Sequence, residues 1–286
     1  MPPEIKRPAP PLGPFALHPA DFAAIRGLVK EKAGINLEPH KRDLVISRLS
    51  RRLRALGLAS FAQYVRLLRS DEGKAELVEM INQITTNKTD FLREMHHFDF
   101  LVQRAWPEMS QAGPPRRVRA WSAGCSSGQE AYSLALMLSE CLAGRPGWSL
   151  RILATDLHTS LLRQASQGVY DEQEVSRLPR HLLLKYFTRR REAGRVLYRA
   201  NPSLREMITF GKFNLMSPHY PRPQSLDFIF CRNVLIYFDA QDKQLIVDRL
   251  AACLRPGGWL FLGHSESLLA GGGRFACVGP TVYQKA

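Results

Sequence analysis

Residues 122–130 read SAGCSSGQE, set between the apolar run Val118 to Trp121 and a stretch, Ala131 to Leu138, whose apolar side chains recur at helical spacing. Glycines and small hydroxyls joining a strand to a helix bring backbone close to a ligand, and helix-terminal amides commonly hold a phosphate there. Here Glu130 falls in the first helical turn, where a carboxylate suits the helix dipole but repels a phosphate. The turn therefore predicts a ligand that is uncharged or cationic at this spot. It matches neither G-x-G-x-x-G nor the G-K-[ST] of a P-loop, so dinucleotides and triphosphates lose support.

Working outward, strand-like and helical runs alternate: RVRAWSA, a helix over 129–143, SLRILATD, a helix over 159–167, LDFIFCRN, a helix over about 240–253, WLFLGHS, and a short strand near Val278 to Gln284. That alternation predicts an α/β domain built on a parallel sheet. Asp239 is placed to cap the helix that follows it, and LRPGG to stop it. Between the two halves, HLLLKYFTRR, RVLYRA and MITFGKF are β-prone runs separated by Ala193-Gly194 and Asn201-Pro202. They predict a small antiparallel β insertion at about 181–213.

The first third has another composition. Phe22, Ile25, Leu28 and Val29 form one helical stripe, Val45, Leu49, Leu53 and Leu56 a second, and Leu77, Met80, Ile81 and Ile84 another. Ser60 can cap a helix that buries Phe61, Tyr64, Val65 and Leu68. Between Arg26 and Arg69 eleven Lys or Arg face three Asp or Glu, in a chain of net charge +14. Arg48, Arg51, Arg52 and Arg54 lie off the Val45 stripe, as on a basic amphipathic helix that meets a partner helix or an anionic surface, or is simply solvated. The expected division is a flexible proline-rich arm at 1–15, a helical basic domain at 16–110, and a catalytic domain at 111–286, with the break at AGPPRR, residues 112–117.

Five widely spaced cysteines without a C-x-x-C pair argue against a disulfide framework and a zinc site, and predict a reduced, cytoplasmic setting. No run of about eighteen apolar residues occurs, so membrane insertion is not expected.

In open parallel sheets the ligand sits at the carboxyl ends of the strands. Three ends here carry polar residues: SAGCSSGQE, Thr155-Asp156 and Cys231-Arg232-Asn233. Asp156 is placed either to bind ribose hydroxyls or to cap the next helix. A nucleoside without phosphate fits this set, and S-adenosylmethionine is one, its positive groups compatible with Glu130 and its ribose with Asp156.

The blocks TTNKTDFLRE, RVRAWSAGCSSGQEAYSLA, ILATDL, FNL, LDFIFCRNVLIYF and LRPGGWLFLGHSES, in this order, resemble the CheR family of chemotaxis receptor methyltransferases over nearly the whole chain. The resemblance implies a Rossmann-like class I methyltransferase sheet, with an all-helical N-terminal domain facing the receptor. It implies methyl transfer from S-adenosyl-L-methionine, leaving S-adenosyl-L-homocysteine, to glutamate carboxylates on the cytoplasmic coiled coil of chemoreceptors, without a metal. By motif matching, Asn87, Thr89, Arg93, Glu130, Asp156, Asn214, Leu215, Arg232 and Asn233 line the cofactor site, and Tyr237 joins Arg93 at the reacting carboxylate. The β insertion is implied as a place for a receptor C-terminal tail, although Arg189 to Arg191 depart from the glycine-containing loop of tail binders. The expected protein is a monomer with no nucleic-acid partner.

A glutamate of ordinary pKa is already ionised at pH 7, so this chemistry needs no general base. Two rivals stand beside it. A nucleic-acid methyltransferase acting on amines would carry Pro-Pro-Tyr after Asn233, which Val234 to Tyr237 do not supply. A catalytically weak module that binds S-adenosylmethionine or docks on receptors would be expected to have lost Arg93, Asp156, Asn233 or Tyr237, all present. Thr89 can equally cap a following helix, Asn233 end a strand, and Tyr237 belong to the core.

Overall fold

A computed structural model describes residues 15–85, 87–111, 116–268 and 273–286. Residues 1–14 of the arm and 112–115 of the expected domain break lie outside them. The chain forms two compact units, one up to residue 86 and one from Asn87. Among the described residues no helix is long and apolar enough to cross a membrane.

The first unit contains α1 (Pro19–Ala33), α2 (Arg42–Ala55), α3 (Phe61–Arg69) and α4 (Lys74–Ile84). Its core is the set of stripes read from the sequence: Phe22, Ile25 and Val29, then Val45, Leu49 and Leu53, then Phe61, Tyr64, Val65 and Leu68, then Met80, Ile81 and Ile84. Leu28, Leu56 and Leu77 stay half-buried at the margins. Ser60 caps α3 by accepting the Gln63 amide through Oγ at 3.3 Å. The arginines of α2 are more committed than the sequence suggested. Arg48 donates to the carbonyls of Gln83 and Thr85 at 3.3 and 3.0 Å, occupying the exposed carboxyl end of α4. Arg52 makes a forked pair with the buried Glu76, which also accepts the Tyr64 hydroxyl at 2.7 Å. Arg54 lies over the Phe15 ring, so of the four only Arg51 makes no such contact among the described residues.

The second unit opens with α5 (Met95–Phe100), which runs through a π-helical turn, Leu101–Ala105, into α6 (Trp106–Gln111). The expected boundary near 110 thus differs from the compact units, because the two helices and the turn between them bury Phe98, Leu101, Ala105, Trp106 and Met109 in the second unit's core. There follow β1 (Arg117–Ala123), α7 (Gln129–Leu142), β2 (Ser149–Asp156), α8 (Thr159–Gln167), β3 (Val169–Asp171), α9 (Arg180–Tyr186), β4 (Phe187–Glu192), β5 (Arg195–Ala200), α10 (Pro202–Arg205), β6 (Ile208–Lys212), β7 (Leu226–Cys231), α11 (Ala240–Cys253), β8 (Leu254–Leu262), β9 (Phe275–Gly279) and β10 (Val282–Lys285).

The main sheet has the order β6-β2-β1-β7-β8-β10-β9, parallel from β6 to β8 and antiparallel at β10 and β9. The central strands read as continuous apolar runs because both faces are covered: all six residues of β7 are buried. Strand order reverses beside β1, which places the switch point at the turn quoted above.

Two sequence expectations are corrected. Of the three β-prone runs, HLLLKY is α9, since Leu182 and Tyr186 recur at helical spacing and are buried together. Ile208 to Lys212 join the main sheet as β6, parallel to β2; the alternation of a one-faced edge strand looks the same in a meander. The small antiparallel sheet is instead β3-β5-β4, completed by residues before the expected insertion. At the chain end the single expected strand is an antiparallel pair, β9 and β10.

Candidate active site

The turn after β1 is fastened to the end of β2. The amides of Gly124 and Cys125 both donate to the Thr155 carbonyl, at 2.8 and 2.9 Å, and the Trp121 indole donates to Thr155 Oγ1 at 2.9 Å. Gly124 has φ +100°, and a Cβ there would meet Val234 Cγ2 at 2.4 Å, so only glycine lets this turn lie against the loop after β7. Gly128, at φ +96°, is also crowded: a Cβ there would meet the Tyr170 hydroxyl at 2.8 Å and Ala165 Cβ at 2.9 Å.

Asp156 closes β2 with both oxygens engaged: Oδ2 accepts the Ser126 amide and Oδ1 the His158 amide, each at 2.8 Å. Burial pushes its pKa up, against these amide bonds. The cap of α8 is His158 itself, whose ring accepts the Leu161 amide. Each Asp156 oxygen keeps a lone pair for a further donor such as a hydroxyl. Ser126 Oγ donates to the Asn87 carbonyl at 2.9 Å, which brings the segment around Asn87 and Thr89 to the same turn. Asn214 Oδ1 accepts the Met216 amide, and Leu215 is buried, its carbonyl accepting the Tyr220 hydroxyl.

Glu130 and Arg232 meet beneath the turn. Glu130 accepts the Ser122 hydroxyl at 2.6 Å and faces Arg232 Nη1 at 3.5 Å. Burial raises its pKa, with Arg232 working against it. Arg232 is 5% exposed; it donates to the Arg93 carbonyl, approaches Glu94 at 3.3 Å, and lies over the Phe98 and Phe230 rings. It is an internal strut between the loop after β7 and the segment before α5. Glu130 therefore has a cation partner within the protein, which the sequence reading did not foresee. Arg93 itself is a third exposed at its side chain and donates to the Lys88 carbonyl at 3.0 Å. Tyr237 ends the 3-10 turn Leu235–Tyr237 and is half-buried.

Two carboxylates missed in the sequence complete the frame. Glu94, in the left-handed region at φ 56°, takes Arg232 and His264 as partners; burial works upward on its pKa, but the Arg232 charge and the His264 hydrogen bond help hold it below the ordinary value. Glu266 is buried and accepts the amides of Asn233, Gly263 and Ile236 at 2.8, 2.7 and 3.2 Å, tying the ends of β7 and β8 together. Asn233 is thereby fixed at φ 58°, a conformation asparagine tolerates. Both glutamates lie in the quoted blocks TTNKTDFLRE and GHSES, yet nothing in their spelling separates a buried strut from a solvated charge.

Donor atoms of Glu94, His96 and His97 lie within 4.8 Å of one another. Arg232 already supplies a fixed cation to that carboxylate, which opposes a second one, and burial with Arg232 and His96 nearby pushes His97 down to about 3. No metal is assigned there. The donor set around the turn, acids and backbone groups with the basic side chain turned inward, fits a ligand with hydroxyl and cationic groups. A polyphosphate would meet Glu130 and Asp156 instead of lysines.

The family described as CheR methyltransferase, SAM binding domain, matches residues 87–284, and its all-alpha domain matches residues 20–85. The chain is 40% identical to a chemotaxis protein methyltransferase of Escherichia coli over 94% of this chain and 92% of that one. It is 39% identical to chemotaxis protein methyltransferase 2 of Pseudomonas aeruginosa over 93% of each. The corresponding protein of Borreliella burgdorferi is 36% identical over 90% of this chain and 91% of its own.

Proposed function

Because the chain belongs to the CheR methyltransferase family, an S-adenosylmethionine-dependent one, we propose that it methylates glutamate side chains on the cytoplasmic coiled coil of chemoreceptors. The observation that carries this reading is the match of both units to the family, with each strand-end acid and amide of the sheet in place.

S-adenosylmethionine supplies an activated methyl group and departs as S-adenosylhomocysteine. Asp156 would hold the ribose hydroxyls, and Asn87, Thr89, Asn214 and Leu215 would line the rest of the cofactor site. Arg232 and Glu94 set the position of Arg93, whose carbonyl accepts from the Arg232 guanidinium. The Arg93 guanidinium and the Tyr237 hydroxyl orient the incoming carboxylate. That carboxylate enters as an anion, so no protein group takes a proton from it. Alignment is the main contribution, for which intramolecular models allow about 7–11 kcal/mol. Arg93 serves as a donor that steers without being consumed.

The outer strand β4 of the small sheet exposes Thr188 to Glu192, including Arg189, Arg190 and Arg191. Its free backbone edge is where a receptor C-terminal tail adds as a strand, and the arginines favour an acidic one.

The test is incubation of the protein with S-adenosylmethionine labelled in the methyl group and receptor cytoplasmic fragments. Label in glutamate-bearing helical peptides is expected. Label in DNA or RNA, or none in the fragment, contradicts the assignment. Arg93→Ala should keep cofactor affinity within a few-fold and lose most turnover, at least about a hundredfold.

A further inference from the structure

A cleft of about 310 Å³ opens beside the 3-10 turn that carries Tyr237. Leu235, Ile236, Val247 and Leu268 form its apolar side, and Lys243 stands among its polar lining, beside Gln244 and Ser267. The cleft lies at the carboxyl ends of β7 and β8, the same end of the sheet as the turn after β1. Its back is rigid, because the Glu266 carboxylate accepts amides from Asn233, Gly263 and Ile236 and is itself buried.

Two features mark the cleft as more than a packing defect. Ile236 is 48% exposed, second to Leu184 among the exposed large apolar side chains of the described residues, and sits next in sequence to Tyr237. Lys243, in the first turn of α11, has an exposed side chain with no ion pair among the described residues. The Glu266 charge is taken up by three amides, so the charge offered at the mouth is that of Lys243. An apolar cavity of about 150 Å³ admits a benzene-sized group, so about twice that volume holds one large aliphatic side chain with room at the mouth.

We infer that this cleft is a substrate subsite that receives an aliphatic side chain flanking the methylated glutamate on an acidic helix, with Lys243 facing a neighbouring carboxylate of that helix. The inference rests on the function proposed above. Helical residues three or four apart share a face, so one helix can present a glutamate to Tyr237 and an aliphatic residue to Ile236 together. The basic balance of the chain, +14, favours an acidic partner over a neutral one.

Ile236→Glu and Lys243→Glu test it in the full-length protein, with kcat and KM measured on a receptor cytoplasmic fragment and Kd measured for S-adenosylmethionine. Ile236→Glu should raise KM about tenfold and Lys243→Glu about threefold, with kcat and the cofactor Kd within about twofold of wild type. Truncating the flanking aliphatic residue of the fragment to Ala should raise KM for the wild type and add little for Ile236→Glu, as for two halves of one contact. If the wild type labels the fragment and both variants keep its KM, the subsite is refuted while the function stands. If the wild type leaves the fragment unlabelled, the function falls and the subsite with it.

Discussion

Arg232 carries more of this site than any other single residue. It is buried between Glu94 and Glu130 and donates to the Arg93 carbonyl. Arg232→Met leaves two carboxylates without their cation, and breaking a buried pair from one side costs about 3–5 kcal/mol. Denaturant unfolding should show that loss, and adding Glu130→Gln to the variant should recover part of it; no recovery would mean that the two side chains are not coupled. His97 offers a second test. Its side chain is fully buried, and burial pushes it from 6.5 to about 3, so the folded protein excludes a proton that the unfolded chain binds between those values. The stability it contributes is complete above about pH 6.5 and is lost as pH falls, at up to about 1.4 kcal/mol per pH unit. His97→Gln removes that term, so unfolding measured from pH 7.5 to 4.5 should give a shallower decline than wild type, and parallel curves would contradict the neutral, buried imidazole.

At the scale of elements, the turn between β1 and α7 is set by two glycines in the left-handed region. Gly124→Ala adds backbone strain of about 1–2 kcal/mol and drives a methyl group into Val234. Cofactor affinity measured by calorimetry should fall at least about tenfold, with partial recovery when Val234→Ala makes room. Unchanged affinity would separate this turn from the ligand. The turn was legible in the sequence because glycine, serine and an acid between a strand run and a helix run have few other uses. The small sheet was less legible. A helix with Leu182, Leu183 and Tyr186 at its core is spelled almost like a strand, and β6 shows the alternation of any edge strand. Partner choice between the two sheets depends on contacts far along the chain, which local pattern does not encode.

Over the whole molecule, the fold class, the basic helical unit and the strand ends that bear Asp156, Arg232 and Asn233 could all be read from residue order. The polarity of the site could be read only in part. Glu130 looked like a counter-charge for the ligand, but it shares Arg232 with Glu94, and the frame-setting Glu94 and Glu266 look in sequence like surface acids. In the first unit the arginines of α2 behave similarly: Arg48 and Arg52 are spent on α4 and Glu76, which leaves fewer free charges than the composition implies. Charge still governs encounter. With +14 on the chain and the acidic receptor helix proposed above as partner, KM for the fragment should rise several-fold between about 50 and 300 mM salt, where screening lengths fall below about 14 Å, while the cofactor Kd stays constant. A salt-independent KM would remove electrostatic steering from the account.

The claim on which the rest depends is that the acceptor is a carboxylate, methylated without any base. Receptor fragment labelled from methyl-tritiated S-adenosylmethionine, then treated with mild alkali, tests it directly: esters release the label as volatile methanol, and methyl groups on nitrogen do not. The account predicts that nearly all the label leaves as methanol. Label that stays on the protein would contradict it.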